Sequence, residues 1–399
     1  MAMSKTTPAN VGAIQSAVEA RECMQIKETP SPSGGRVGWG WGKRVTPTVM
    51  PACNPTPILT IPLKGKEHST VTKAMLPHQL ESRPANGGRW AGILSWFDNE
   101  RLAAEPDSTV ARGIDWPRLL PFVALHLGCI AVIWVGVSTT AALTAISLYV
   151  LRMFAITGFY HRYFSHSAFR TSRLTQFVFA LVGATGVQRG ALWWASQHRH
   201  HHAHSDQPAD VHSALQHGFF WSHMGWFMAR ENFATRREKI THLLQYPELR
   251  FLDRFDALVP VALGAALYGV GAALERYAPA LGTNGLQLLV WGFCISTVVL
   301  YHATFTINSL THRFGRRRYA TRDDSRNNLW LALLTFGEGW HNNHHHFPGA
   351  VRQGFYWWEI DVTYYGLRVL AALGIIWDLK EVPAAMLNTR RISIPARQP

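Results

Sequence analysis

Long apolar runs, nearly free of charge, mark the chain after residue 116. They cover about residues 119–137, 140–160, 257–274 and 286–307. At a rise of 1.5 Å per residue, about 20 helical residues cross about 30 Å of hydrocarbon. Two buried helical hairpins of a soluble protein would not need runs this long and this free of charge. The pattern therefore predicts an all-α integral membrane protein with four transmembrane helices.

The connections between these runs predict two hairpins. Ser138 and Thr139 leave room only for a tight turn, and residues 275–285 carry a proline and two glycines. Because each hairpin returns the chain to its starting side, everything outside the hairpins lies on one side of the membrane. Those segments are residues 1–118, 161–256 and 308–399.

The charges next to the spans predict the sidedness of the protein. Lys and Arg are enriched in cytoplasmic loops, and the far connections carry only Arg276. We therefore expect both termini and a helical cap on the cytoplasmic side. The cations on that side include Arg236, Arg237, Lys239, Arg313, Arg316, Arg317 and Arg318.

The two ends of the chain differ from the apolar part between them. Residues 1–88 hold ten of the 21 prolines and only two aromatic residues, Trp39 and Trp41. Such a segment cannot bury enough apolar surface to offset its chain entropy, which predicts a disordered leader, with a transit peptide as the alternative. We expect residues 89–380 to form the membrane domain and residues 381–399 a flexible tail. Within the domain, residues 174–195 and 364–377 predict helices that lie against the membrane.

Composition excludes several classes of function. Charged residues make up 16% and hydrophobic residues 47% of the chain, whose net charge is +14. No basic helix or aromatic RNA-binding signature accompanies that charge, so we predict no nucleic-acid partner. The four cysteines contain no CxxC pair, which excludes a disulfide scaffold, a cysteine zinc site and a Cys-ligated iron–sulfur cluster.

Histidine is the anomalous residue, because 17 of the 20 lie between His161 and His346. Three dense clusters and one further motif contain the candidate metal ligands. Within two clusters the histidines stand at i, i+3 and i+4, and therefore on one helical face. The motifs are His161-Arg-Tyr-Phe-Ser-His166, His198-Arg-His-His201-His202, Asn308-Ser-Leu-Thr-His312 and His341-Asn-Asn-His344-His345.

Neutral imidazole binds iron, copper and zinc. Three or more nitrogens per metal from separate segments can hold two metals side by side. The missing HExxH motif excludes a zincin protease, and the single ExxH at Glu338–His341 does not meet the needs of a ferritin-like site. Haem takes one or two histidines, far fewer than are present. A histidine-rich non-haem centre remains, for which di-iron and O₂ chemistry is the best fit, although spacing alone does not separate iron from copper.

The four motifs, in this order and at these span ends, resemble the membrane fatty acid desaturases. The closest pattern is the delta-9 acyl-CoA (stearoyl-CoA type) branch, over about residues 116–360. The resemblance implies that the nine histidines of the motifs bind two Fe ions and that Asn308 reaches one iron through water. It implies no catalytic residue beyond these ligands. His200, His204 and His346 fall outside the pattern, and we expect them to support the ligands or to face solvent.

The resemblance also implies a kinked tunnel for an acyl chain. For the tryptophans in it, anchoring at the membrane interface is the alternative. Ser196 and Gln197 stand where the animal pattern has Arg-Asp, and Arg189 replaces an amide. We predict acyl-CoA as the substrate, with another carrier or a lipid-bound chain as alternatives. The implied substrate-binding residues are Gln188, Arg189, Trp194, Trp226 and Thr304.

By resemblance, the reaction uses O₂ and external electrons to place a cis double bond, at delta-9, in a saturated acyl chain. Unactivated methylenes offer no handle for acid–base chemistry, so a strong metal oxidant is required. The chain has no GxGxxG turn and no fused cytochrome b5 motif. We therefore expect a separate electron donor, such as cytochrome b5, ferredoxin or rubredoxin with its reductase.

Two other functions remain open from the residues alone. A membrane hydroxylase of lipids or alkanes would share the histidine motifs but oxygenate its substrate. A metal-binding transporter would place its ligands near the middle of the bilayer. The motifs here lie at span ends, which favours the enzyme.

Overall fold

The computed structural model describes residues 97–102 and 113–392. The predicted leader, residues 1–88, lies outside them. Four helices are long and apolar enough to cross a membrane, which confirms the prediction of four helices of that length and composition. The first to fourth spans are Arg118–Val135, Thr139–Ser165, Leu258–Tyr277 and Gly285–Leu310.

Polar caps explain where the spans begin. The Ser138 hydroxyl accepts a hydrogen bond from the backbone N–H of Ala141 and the Asn284 side chain one from Gln287, so each satisfies a free donor of the first helical turn. Between the first two spans the chain turns at Gly136, whose φ of 65° glycine adopts without a Cβ clash.

Shorter helices and one two-stranded sheet complete the described part of the chain. The strands are β1, Arg170–Thr171, and β2, Ile376–Trp377, which pair antiparallel. The longer helices outside the spans are Arg173–Ala184, Ala191–His204, Pro247–Arg254 and Val362–Ala372. The short ones are Asn99–Leu102, Ala214–His217, Trp221–Gly225, Trp226–Met228, Arg230–Asn232, Arg237–Lys239, Pro279–Leu281, Leu329–Leu334, His341–His346 and Ala384–Asn388.

One aromatic core joins the end of the second span to these helices. Phe159 stacks on Phe179 with ring centroids 3.8 Å apart, and Tyr160 is fully buried. A Cβ at position 183 would lie 2.1 Å from the Tyr160 ring, so only Gly183 permits this approach. The helix predicted over 174–195 is in fact two helices, separated by a turn at residues 185–190.

Arg152 ties the second span to the fourth from a fully buried position. The guanidinium has five N–H donors, and each has an acceptor in the structure. No carboxylate of the described residues forms an ion pair with it, so its charge is met by dipoles alone. The acceptors are the carbonyls of Leu148, Thr185 and Gly292 and the hydroxyls of Ser296 and Thr297.

Residues 381–392, the described part of the predicted tail, bond to the domain. The Tyr319 hydroxyl donates to the carbonyl of Leu387 at 3.2 Å. His346 Nε2 lies 2.9 Å from the carbonyl oxygen of Met386. The backbone N–H of Ile392 donates to the Arg318 carbonyl at 2.8 Å.

Candidate metal centre

The nine predicted histidine ligands converge in two groups, and within each group one nitrogen per ring lies within 4.8 Å of the others. Each group could hold a metal ion. The first histidine group comprises His161, His166, His198, His202 and His344, and the second comprises His201, His312, His341 and His345.

A π-helical stretch at the end of the second span, Ala155–Ser165, explains how the HxxxxH motif works. In an α-helix, residues five apart are turned from each other by about 140° and face different ways. A π-helix bonds i to i+5 instead, and the N–H of His166 donates to the carbonyl of His161 at 3.3 Å. The two rings therefore stand together, with centroids 4.9 Å apart.

The HxxHH motifs divide their histidines between the two groups. On an α-helix, position i+4 is turned about 40° from position i to one side and i+3 about 60° to the other. His198 and His202 accordingly enter the first group, while His201 points to the second. In His341-Asn-Asn-His344-His345 the division is the opposite. Only His344 enters the first group, and His341 and His345 enter the second. The single helical face predicted from spacing is thus shared between two sites.

The Nε2 atoms of the first histidine group lie close enough together for several of them to bind one cation. His166 Nε2 lies 2.8 Å from His198 Nε2, and His202 Nε2 lies 2.8 Å from His344 Nε2. Burial, together with the charge of neighbouring histidines, holds the pKa of His166, His198 and His344 well below the ordinary value. These imidazoles are neutral near pH 7, so their lone pairs are available to a metal.

Buried carboxylates orient the second group, and the sequence analysis missed them. The Nδ1 atoms of its histidines lie 2.7–2.9 Å from carboxylate oxygens in three cases. Such a bond fixes Nδ1 as the donor and leaves the Nε2 lone pair for the metal. The pairs are His201 with Asp210, His312 with Asp206 and His345 with Asp323.

These carboxylates stay ionised although they are buried. Burial raises the pKa of Asp206, but the hydrogen bond and charge of His312 outweigh it and lower the pKa to about 2. His345 likewise holds the pKa of Asp323 below its usual range. The motif spacing gave no sign of these residues, but a search for Asp near each HxxHH motif would have found them.

In the first group, Glu338 takes the place of such an aspartate. Its carboxylate pairs with His161 Nδ1 and lies 3.2 Å from the Arg162 guanidinium. The Gln353 amide donates to the same carboxylate at 3.1 Å. The glutamate of the ExxH pattern therefore orients the His161 ring. Glu338 is not itself a candidate metal ligand, because it lies outside both histidine groups.

A cavity of about 820 Å³ reaches the first histidine group at His198. Its walls include residues of the first, third and fourth spans and of the segment 187–233. Asn308 lines it, and no hydrogen bond to the Asn308 amide is found among the described residues. The lining includes Leu119, Phe122, Leu125, Gln188, Arg189, Trp194, Gln197, His198, His212, Trp226, Pro260, Phe293, Tyr301, Thr304, Phe305 and Asn308.

Three predicted substrate residues meet in the cavity wall. The Gln188 amide donates to the Thr304 hydroxyl at 2.9 Å and accepts from the Trp194 indole at 3.3 Å. Trp194 stacks on His198 with centroids 5.1 Å apart. Trp226 stacks on Trp193 and is only 8% exposed, so it is not an interface anchor.

The remaining predicted residues also have defined partners. Arg189 forms an ion pair with Asp256 at 2.9 Å. His200, His204 and His346 bond to backbone carbonyls and lie outside both histidine groups. His212, which the sequence analysis did not single out, lines the cavity and stacks on His201.

A family model for fatty acid desaturases matches residues 118–372, more than half of the chain. The chain belongs to the fatty acid desaturase family. Desaturases are oxidoreductases, so the family and the enzyme class predicted from the motifs are confirmed.

Named relatives show the range of this desaturase family. The chain is 35% identical over 270 residues to the sn-1 stearoyl-lipid 9-desaturase of Anabaena variabilis, covering 67% of this chain and 94% of that one. It is 38% identical over 245 residues to the chloroplastic palmitoyl-monogalactosyldiacylglycerol delta-7 desaturase of Arabidopsis thaliana, covering 60% and 62%. It is 39% identical over 229 residues to the icosanoyl-CoA 5-desaturase of Limnanthes douglasii, covering 56% and 60%. The chain thus spans less than two thirds of the length of these two plant desaturases.

Replacing Asp323 with asparagine should weaken metal binding by about 10- to 100-fold. The two carboxylate oxygens accept from His345 and from Ser325, whereas asparagine has only one oxygen and its amide nitrogen cannot accept the other bond. The measurement is the rate of metal loss from the purified protein to a chelator. Asp324→Asn is the control, because that side chain pairs with Arg317 nearer the surface. Equal rates of metal loss in the two variants would refute the orienting role.

Proposed function

We propose that the chain is an O₂-dependent di-iron desaturase that introduces a cis double bond, at delta-9, into a saturated long-chain acyl substrate. The observation that carries this proposal is that His198 belongs to the first histidine group and also lines the cavity. An acyl chain in that cavity would lie beside the metals. Bound iron would supply the oxidant that unactivated methylenes require.

The residues of this chain would hold the substrate rather than react with it. Gln188, Trp194 and Thr304 satisfy one another's polar atoms, so their wall offers the acyl chain an apolar, fixed surface. Positioning of this kind decides which carbons reach the oxidant. Asn308, by resemblance, would reach one iron through water.

The carrier of the acyl chain is a separate part of the proposal. Acyl-CoA is the substrate predicted from the sequence. The cavity, however, has two arginines that each stand near a carboxylate, Arg118 with Asp115 at 3.6 Å and Arg189 with Asp256 at 2.9 Å. Their charge is largely neutralised, which favours a lipid-bound acyl chain over the phosphates of CoA. Assays with stearoyl-CoA and with stearoyl glycerolipids in nanodiscs separate the two.

We further propose a separate electron donor, such as cytochrome b5, ferredoxin or rubredoxin with its reductase, on the cytoplasmic side. Arg322 is exposed and immediately precedes Asp323, the partner of His345. A donor with acidic groups would find a cation there, close to the second histidine group.

We also propose that the four spans form two hairpins. Both termini and the histidine groups would then lie on the cytoplasmic side. Each connection on the far side contacts the start of a span of the other hairpin, which supports a common side for the two connections. The Ser138 hydroxyl donates to Gln287 at 2.6 Å, and the Thr140 hydroxyl donates to the Leu281 carbonyl at 3.0 Å.

The proposed function is tested by expressing the chain in a host that lacks the delta-9 double bond. Gas chromatography with localisation of the double bond should show a cis-9 monoene. A hydroxylated fatty acid would instead identify a hydroxylase, and an unchanged lipid profile with an active electron donor present would reject the proposal. His201→Ala supplies the inactive control.

Replacing Thr304 with valine should reduce activity or loosen the double-bond position while iron is retained. Valine keeps the shape but leaves the Gln188 N–H without its acceptor, at a cost of about 1–3 kcal/mol. Product analysis and iron content are the measurements. An unchanged rate and position would show that the Thr304 hydroxyl serves only its own helix, to whose carbonyls it also donates.

A further inference from the structure

The turn at residues 185–190, next to the cavity, has a strained backbone. Val187 has a φ of 58° and Arg189 a φ of 68°. This left-handed region is uncommon for residues other than glycine, and for a β-branched residue it is an outlier. Strain of this kind persists only where the surroundings enforce it, and it concentrates at functional sites.

A hydroxyl from the fourth span holds the carbonyl group of the strained valine, whose N–H donates to the carbonyl of Ala184 at 3.1 Å. Tyr301 Oη donates to the carbonyl oxygen of Val187 at 2.6 Å, and among the described residues no other donor bonds that oxygen. Tyr301 is 6% exposed. Its ring is fixed between Phe122 and Phe305, with centroids 5.8 and 5.4 Å away.

The strained turn presents Gln188 to the cavity. Gln188 stands between the two left-handed residues and bonds Thr304 and Trp194. Trp194 in turn stacks on His198 of the first histidine group. The location of Gln188 relative to the metals therefore depends on the backbone of its neighbour Val187.

We propose that the Tyr301 hydroxyl is a positioning group that determines which carbons of the acyl chain are desaturated, because it holds Val187 in its strained conformation. This inference rests on the proposed desaturase function. Without the hydroxyl, Val187 relaxes toward negative φ and displaces Gln188. A displacement of about 1 Å already matters for a near-attack geometry, so neighbouring methylenes come to face the metals.

Tyr301→Phe tests this proposal, with Tyr149→Phe as a matched control. Tyr149, on the second span, also donates its hydroxyl to a backbone carbonyl, that of Leu334, at 2.6 Å. It is not among the cavity-lining residues. In Tyr301→Phe the share of double bonds at other positions should rise about fivefold, as expected for the loss of one neutral hydrogen bond. Iron content should match the wild type, and Tyr149→Phe should give the wild-type product.

A wild-type product distribution in Tyr301→Phe would overturn the proposal. Absence of any alkene from the wild-type protein would instead reject the proposed function, so the two failures are distinguishable. The product distribution also separates positioning from a loss of stability alone, which both tyrosine variants share.

A second variant tests the strain itself. Glycine adopts φ of 58° without a Cβ clash, so Val187→Gly removes the need for the hydroxyl. Adding Val187→Gly to Tyr301→Phe should return the product distribution toward that of Val187→Gly alone. If Tyr301→Phe does not accumulate, recovery of folded protein in the double variant supports the proposal. The proposal would be overturned if the double variant matched Tyr301→Phe in both its product distribution and its yield of folded protein.

Discussion

Alanine in place of His344 should abolish desaturation, by at least about a thousandfold, and remove iron from the protein. His344 Nε2 lies 3.1 Å from His161 Nε2 and 2.8 Å from His202 Nε2, at the centre of the first histidine group. Residues that act as one catalytic unit lose nearly all activity when one is removed. The measurements are product formation and the iron content of the purified protein.

The neighbouring His346 provides a matched control for this variant. It lies outside both histidine groups, stacks on Tyr319 and contacts the carbonyl of Met386. His346→Ala should therefore keep its iron and stay within a few-fold of wild-type activity, with about 1–2 kcal/mol less stability. Full activity in His344→Ala, or equal iron loss in the two variants, would reject the assignment of His344 as a ligand.

Leucine in place of Arg152 should prevent the protein from accumulating in its folded form. The change removes all five donors and leaves the two hydroxyls and three carbonyls without that partner inside the protein. The carbonyls of Leu148 and Gly292 lie within helices, so the Thr185 carbonyl and the two hydroxyls are the groups left unpaired. Each buried polar group left unpaired costs about 1–3 kcal/mol, and three of them amount to a large share of the stability of a typical domain, about 5–15 kcal/mol. Fluorescence-detected size-exclusion chromatography in mild detergent measures the folded fraction.

Two further substitutions provide comparisons for the folded yield of Arg152→Leu. Arg152→Lys retains the charge but has only three donors, so an intermediate yield is expected. Arg276→Leu removes an exposed arginine of the third span and should leave the yield unchanged. A normal yield of Arg152→Leu would show that the guanidinium is not what joins the second and fourth spans.

The sequence was sufficient for features that depend on local pattern. Apolar length identified the four spans to within a few residues, and motif spacing identified the nine histidines that converge. It did not show that the HxxxxH motif lies in a π-helical stretch, because the spacing of the histidines does not distinguish i+5 from i+4 hydrogen bonding. It also did not show how the histidines of each HxxHH motif divide between the two histidine groups. That division depends on where the other ligands of the second histidine group lie in space.

The turn at residues 185–190 illustrates a second limit. Apolar residues on both sides predicted one helix over 174–195, and neither Val187 nor Arg189 favours a left-handed backbone. The conformation is enforced by distant partners, Tyr301 from the fourth span and Asp256 at the start of the third. Partners more than 60 residues away in sequence leave no local signal, and neither does the pairing of His312 with Asp206, which are 106 residues apart.

The most direct test of the account is the number and kind of metal ions in the purified, active protein. Elemental analysis combined with Mössbauer spectroscopy of ⁵⁷Fe-labelled protein should find two iron ions per chain, both with histidine ligation. His344→Ala should perturb the iron of the first histidine group and His312→Ala that of the second. A single iron per chain, or zinc or copper in a protein that still desaturates, would contradict the account.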